Sequence, residues 1–389
     1  MSPASFTIRD ARVRHVEVPV DRPVVTAFGR MDTRHAVLVE LCDADGRTGL
    51  GESWVNFPYW APFERVVAFE HGFHPYLGGR DVGGLAEFSA AMYRAFAGPA
   101  EQSGTAGPLL CGLSAVELAL YDLAARRANL PLHRFLFANP ASEVRVYASG
   151  INPPLPFDLI DAHLAKGVTL FKLKLGFDDA SDRANLAALR RHLPATARIA
   201  VDVNRGWSFD QALRWLDLLA DYEVEWLEEP LRPADEPRLA DLCALGKVPI
   251  ALGENIMMPP PCGAAAPGCV GAASVVAHAP PPASRRFADL PCHILQPDLS
   301  KYTPISVALS LLPAALRAGK RIIPHFLGCA PGLAASLHFA SGLPDPLCEL
   351  DINPNPLRTD LLDPPFDIVG GKIRLPDIPG LGWTLARSR

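Results

Sequence analysis

From residue 144 onward the chain alternates short apolar runs with longer amphipathic stretches. The runs 144–150, 168–175, 197–203, 223–227, 248–252, 293–296, 321–324 and 347–350 have the length and β-branched content of buried strands. Between them, 157–166, 180–192, 209–221, 236–245, 306–318 and 333–341 repeat apolar residues at helical spacing. Eight strands alternating with helices predict a closed parallel (β/α)8-type barrel over 140–352, because each right-handed crossover returns the chain beside the previous strand. Catalytic groups in such a barrel belong at the C-terminal ends of the strands.

The first 135 residues follow a different pattern and predict a separate α+β capping domain. Residues 8–19 and 36–41 read as strands, and a third returns over 48–53 after the turn Asp43-Ala-Asp-Gly46. The Pro- and Gly-bearing stretch 20–30 reads as a loop, as does the aromatic-rich segment 52–60. Helices are predicted over 63–76, 85–96 and 114–129, the last with Ser114 as a cap and Leu130-Pro131 as its stop. Residues 257–291 interrupt the barrel as a Pro/Ala/Gly-rich insert, whose prolines cannot continue a regular helix.

Composition narrows the class. The chain has 389 residues, 49% hydrophobic and 20% charged, with a net charge of −5, which suits a globular protein and gives no basic field for nucleic acid. No apolar run approaches the ~20 residues of a membrane span, and the N-terminus lacks a secretory pattern. Eight scattered cysteines without C-x-x-C spacing read as reduced thiols, which makes a cytoplasmic protein the expectation.

The chemistry begins at Phe171-Lys172-Leu173-Lys174-Leu175-Gly176. Strand alternation sends Lys172 and Lys174 to one face and the apolar residues to the other. Two lysines at a solvated strand edge would give the same pattern, but the other strand ends argue for a site. Strand three ends at Asp202, strand four at Glu228 and strand five at Glu254, with 26 residues from 202 to 228 and again from 228 to 254. Three carboxylates converging at one mouth repel unless a cation lies among them, and an all-oxygen donor set favours Mg²⁺. Strands six, seven and eight end at Asp298, His325 and Glu349; an aspartate beside a histidine can fix its tautomer and raise its basicity.

With these residues in place, the chain resembles the enolase superfamily, specifically its mandelate racemase subgroup, over nearly its whole length. The resemblance implies an N-terminal cap completed by 353–389, a (β/α)7β variant of the barrel, and Asp202, Glu228 and Glu254 as Mg²⁺ ligands. It implies Lys174 as a base, with Lys172 its companion at the substrate carboxylate, lowering the Lys174 pKa. Asp298 and His325 would form the dyad, and a protonated Glu349 would donate to the substrate carboxylate. The muconate-lactonizing and dipeptide-epimerase branch carries a lysine on strand six where this chain has Asp298, which disfavours that branch, although Lys301 lies three residues on.

The implied chemistry is removal of a proton α to a carboxylate through an enediolate, stabilised by Mg²⁺ and flanking cations. Racemisation or epimerisation of a 2-hydroxy acid is the leading expectation, dehydration of an acid sugar the alternative, and a binding protein with a vestigial site the non-enzymatic one. The ligand would be a small-molecule carboxylate, with neither nucleic acid nor membrane as partner, and the resemblance implies a homo-oligomer. Trp54, Phe57, Tyr59 and Trp60 in the aromatic loop suggest a partly apolar substrate, while Asn56, Arg30, Asn204, Arg205 and Asn152 are candidates for reading hydroxyls.

Overall fold

The computed structural model describes residues 5–26, 29–258, 260 and 289–385. In the cap, three antiparallel strands, β1 (Phe6–Thr26), β2 (Gly29–Asp43) and β3 (Thr48–Ser53), are joined at the β1 edge by a short β4 (Asp81–Val82). Most of 20–30, expected as a loop, is strand: after a register shift between Pro19 and Val24 the hairpin resumes with Val24 opposite Met31 and Thr26 opposite Gly29. Pro23 lacks an N–H for the ladder, and the shift absorbs it without ending the hairpin.

The apolar helix Ala106–Arg127 packs across this sheet. It starts well before the expected Ser114, which is buried inside it and donates to the Lys301 carbonyl at 3.3 Å. Gly49 and Gly51 on β3 permit the approach. A Cβ at either would lie 2.1 Å from the Ala119 oxygen or 2.0 Å from that of Ala115. The next part of the cap also differs from the expected single helix, passing from Ala61–Ala68 through a π-turn at Phe69–Phe73 into His74–Leu77.

Eight parallel strands follow: β5 (Glu143–Ile151), β6 (Leu170–Lys174), β7 (Arg198–Asp202), β8 (Leu227–Glu228), β9 (Ile250–Leu252), β10 (Ile294–Leu295), β11 (Arg321–Ile322) and β12 (Leu347–Asp351). They pair in sequence from β5 to β11, and β12 pairs with β5. Tyr147, Leu170, Ala200, Trp226, Ala251, Ile294, Ile323 and Leu347 form one buried cluster, with a residue from each strand or its immediate edge. This layer plugs the barrel interior, as a closed (β/α)8-type barrel requires. The expected helix 236–245 is a 3₁₀ segment, Pro233–Arg238, running into Leu239–Ala244, because Pro237 lacks the N–H an α-helix uses. The insert 257–291 lies almost wholly outside the described residues.

The C-terminal segment returns to both parts. Short strands β13 (Leu362–Asp363) and β16 (Thr384–Leu385) pair with each other, while β14 (Ile368–Val369) pairs with β15 (Lys372–Arg374), which lies antiparallel to β5. Asp122 on the long cap helix accepts from the Leu50 N–H at 2.8 Å and the Leu381 N–H at 2.6 Å, tying the sheet, the helix and the C-terminus at one buried carboxylate.

Candidate active site

Strand periodicity builds the site on the plug. Two residues beyond each plug position stand Ser149, Lys172, Asp202, Glu228, Gly253, Gln296, His325 and Glu349. Alternation puts them on the same inward face, one layer nearer the C-terminal mouth. The register of Asp202 with Glu228, and of Lys174 with Asp202, sets these groups side by side. Gly253 keeps the fifth position open: its φ is +151°, and a Cβ there would lie 2.6 Å from the Gln296 oxygen.

Lys172 is fully buried and donates to Glu228 at 2.6 Å, with Glu349 at 2.7 Å and Asp202 at 3.8 Å. Burial opposes its charge, but Glu228 and Glu349 overcome that and hold its pKa well above the usual lysine value. It does not line the cavity above and is enclosed by these three carboxylates. Lys174 reaches the cavity wall, donating to Asp202 and, at 3.1 Å, to Asn204. Burial and the neighbouring Lys172 lower its pKa, as the like-charge argument requires. Asp202, Glu228 and Glu254 outweigh both, so the net shift is upward instead of the expected downward one.

His325 Nδ1 lies 2.8 Å from Asp298 Oδ2, and its Nε2 lies 3.1 Å from Glu254. Burial disfavours its charge, yet Glu254, Glu349 and Asp298 raise it to about 9. Asp298 is oriented by the Ser300 N–H at 2.9 Å and hydroxyl at 2.7 Å. Glu349 differs from the expected protonated donor. Burial pushes it up, but Lys172 and His325 bring it down to about 2, so it is a carboxylate that accepts from Ser149 and from the Phe326 N–H at 3.1 Å.

Six buried carboxylates, Asp202, Glu228, Glu229, Glu254, Asp298 and Glu349, thus surround four basic groups, Lys172, Lys174, Lys301 and His325. Burial and mutual repulsion push Glu228 up to about 7 and Glu229 to about 8, the response of a site with surplus negative charge. Donor atoms of Glu228, Glu254 and His325 lie within 4.8 Å of one another. The oxygen-rich donors and the surplus charge fit a hard divalent cation.

Above this layer is a cavity of about 220 Å³ with apolar walls from Val24, Met31, Trp54, Phe57 and Leu327 and amides from Asn152, Asn204, Asn255 and Asn353. Trp54, Phe57, Asn152 and Asn204 therefore reach it, whereas other candidates do not. Asn56 is held by the Leu327 carbonyl at 2.5 Å, Tyr59 is 78% exposed against Trp60, and Arg30 pairs with Asp32 at 2.8 Å in solvent. Arg205 is likewise turned to Glu236, at 2.7 Å.

Lys301 is the principal addition. It is 3% exposed, bonded to Glu254 at 3.1 Å and Asn255 at 2.7 Å, and stands 4.4 Å from the Trp54 ring centre. The Trp54 backbone N–H donates to the Ser300 carbonyl at 2.9 Å, so this segment docks the cap loop on barrel strand six. A lysine three residues past Asp298 was the available signal. Its direction follows from the turn after β10, where Lys301 and Thr303 N–H groups return to the Asp298 carbonyl.

The model "Mandelate racemase / muconate lactonizing enzyme, N-terminal domain" matches residues 8–136, and "Enolase C-terminal domain-like" matches 158–261 and 279–389. A solved mandelate racemase/muconate lactonizing enzyme from Bordetella bronchiseptica RB50 is 34% identical, with 98% of each chain covered and a TM-score of 0.83. D-galactarolactone cycloisomerase of Agrobacterium fabrum is 28% identical over 98% of this chain and 97% of that protein. A third, L-talarate dehydratase from Polaromonas sp. JS666, solved with Mg and L-glucarate, shares the fold at 24% identity and a TM-score of 0.78, covering 98% of this chain and 96% of that one.

Proposed function

Because this chain belongs to the mandelate racemase/muconate lactonizing enzyme family of the enolase superfamily, an enzyme family of isomerases and dehydratases, we propose that it removes the α-proton of a small hydroxy-carboxylate. The supporting observation is the pairing of two proton carriers at one cavity: Lys174 from strand two and the Asp298-oriented His325 from strand seven. Mg²⁺, when held by Asp202, Glu228 and Glu254, supplies positive charge that stabilises a developing enediolate and offsets the carboxylates keeping protons on Lys174 and His325.

The chain's own residues do the rest. Lys174 or His325 accepts the α-proton as the C–H bond breaks and its electron pair moves toward the substrate carboxylate. The other group, reaching the cavity from a different arc of the barrel, returns a proton to carbon, and the product is the epimer. Lys172 acts from below, holding Glu228 and Glu349 in place. Trp54, Phe57 and Leu327 keep water from the cavity's apolar side.

A second outcome is β-elimination from an acid sugar or its lactone, the second group then protonating the departing oxygen. Four asparagine amides on the cavity wall favour it, since amides read hydroxyls and ring oxygens. The cycloisomerase and dehydratase among the relatives favour it too.

The test is Mg²⁺-dependent exchange of the α-proton for deuterium across 2-hydroxy acids, acid sugars and their lactones, with product NMR. Inversion without loss of oxygen marks an epimerase, and a 2-keto-3-deoxy acid, formed from the acid sugar or from its opened lactone, marks elimination. Absence of exchange across the panel with Mg²⁺ bound would overturn the proposal. Homo-oligomeric assembly is part of the same proposal and is checked by sedimentation velocity.

A further inference from the structure

Away from the barrel mouth, the cap hairpin gathers a second set of donors. His15 and Glu17 are two apart on β1 and so share a face, and Glu17 stands directly opposite His35 on β2. His15 Nε2 and His35 Nδ1 are 3.0 Å apart, and His35 Nδ1 is 3.6 Å from Glu17 Oε2. One donor atom from each of the three lies within 4.8 Å of the others.

We propose that His15, Glu17 and His35 form a binding site for a borderline divalent transition metal such as Zn²⁺, separate from the carboxylate site of the barrel. Bonds of ~2.1 Å in a tetrahedral site place donor atoms about 3.4 Å apart, and the two measured separations, 3.0 and 3.6 Å, bracket that spacing. Two imidazole nitrogens and one carboxylate oxygen select Zn²⁺, Co²⁺ or Ni²⁺ over Mg²⁺. The imidazoles are also held in place: their rings stack with centres 5.3 Å apart, and Phe63 packs edge-on against His15, also at 5.3 Å.

The placement suggests what an ion does here. Its ligands join β1 to β2 just before the shift between Pro19 and Val24, and beyond that shift Val24, Thr26 and Met31 line the catalytic cavity. An ion at this point clasps the hairpin below the part that shapes the cavity. The ordinary alternative is a stacked histidine pair sharing one proton, with Glu17 in solvent.

The test uses untagged, metal-stripped full-length protein with excess Mg²⁺ and Co²⁺ as the probe. Wild type should take up one more equivalent of tightly bound Co²⁺ than His35→Asn, with the intense visible absorption of a four-coordinate ion. Glu17→Gln should weaken that equivalent by about tenfold or more, since losing even a partner outside the ligand set costs about that much. Equal uptake by wild type and both variants, or an extra equivalent lacking that absorption, would overturn the proposal. The Glu17 side chain is 59% exposed, so its replacement decides the matter even if His35→Asn does not fold.

Discussion

His325 holds Asp298 at 2.8 Å through Nδ1, leaving Nε2 directed to Glu254 and the cavity. This bond sets the tautomer of the proposed second base. In Asp298→Asn the amide can donate to Nδ1 and reverse that tautomer while still contacting Ser300. Turnover should fall by about 10²–10⁴, the usual range for losing a positioned acid–base group. Deuterium exchange read for each stereoisomer should show the loss on the His325 side while Lys174-side exchange persists. Equal loss on both sides would argue against two separate bases.

Lys301 competes for the same carboxylate as the proposed cation, lying 3.1 Å from Glu254. Lys301→Met removes that positive charge, so Mg²⁺ should bind about two- to tenfold more tightly, roughly 0.4–1.4 kcal/mol. Calorimetric titration with Mg²⁺ measures this directly. Weaker binding would mean that Lys301 serves chiefly to position Glu254.

His338 predicts an acid-sensitive fold. Its Nδ1 faces the His133 backbone N–H at 3.2 Å and its Nε2 the Leu381 carbonyl at 2.9 Å, which satisfies the neutral Nε2–H form. Burial, partly opposed by the Leu381 bond, takes its pKa from 6.5 to about 3. The unfolded chain therefore binds the proton first, and stability present above pH 6.5 is lost as pH falls toward 3, at up to about 1.4 kcal/mol per pH unit. Denaturant midpoints across that window should fall less steeply in His338→Gln.

Gly51→Ala tests the contact between β3 and the long cap helix. The added Cβ would meet a backbone oxygen at 2.0 Å, which no side-chain rotation relieves. A loss of about 1–3 kcal/mol is expected from such overpacking, measurable by urea denaturation. Preserved stability would show that the helix can shift away from the sheet.

Much of the barrel was legible because strand alternation is local. Once Leu170, Lys172 and Lys174 share a face, each strand's inward residues follow at steps of two, and Asp202, Glu228, His325 and Glu349 fall above the plug. The 20–30 segment was less legible, since Pro and Gly mark loops in isolation while a register shift let this hairpin continue. The aromatic loop was legible only in part: Trp54 points inward, but neighbouring Tyr59 points to solvent.

The sequence by itself determined the order of strands, their spacing and the chemical types at their ends, because these depend on neighbours within a few residues. Only the tertiary structure decided which charges share a space. Lys172 is enclosed by carboxylates from three other strands, Glu349 is held ionised by Lys172 and His325, and Lys301 joins Glu254 to a cap tryptophan. Those pairings arise between residues 24 to 247 positions apart, His325 from Glu349 and Trp54 from Lys301. Ionisation and side-chain direction follow from such neighbours, which one-dimensional order does not specify.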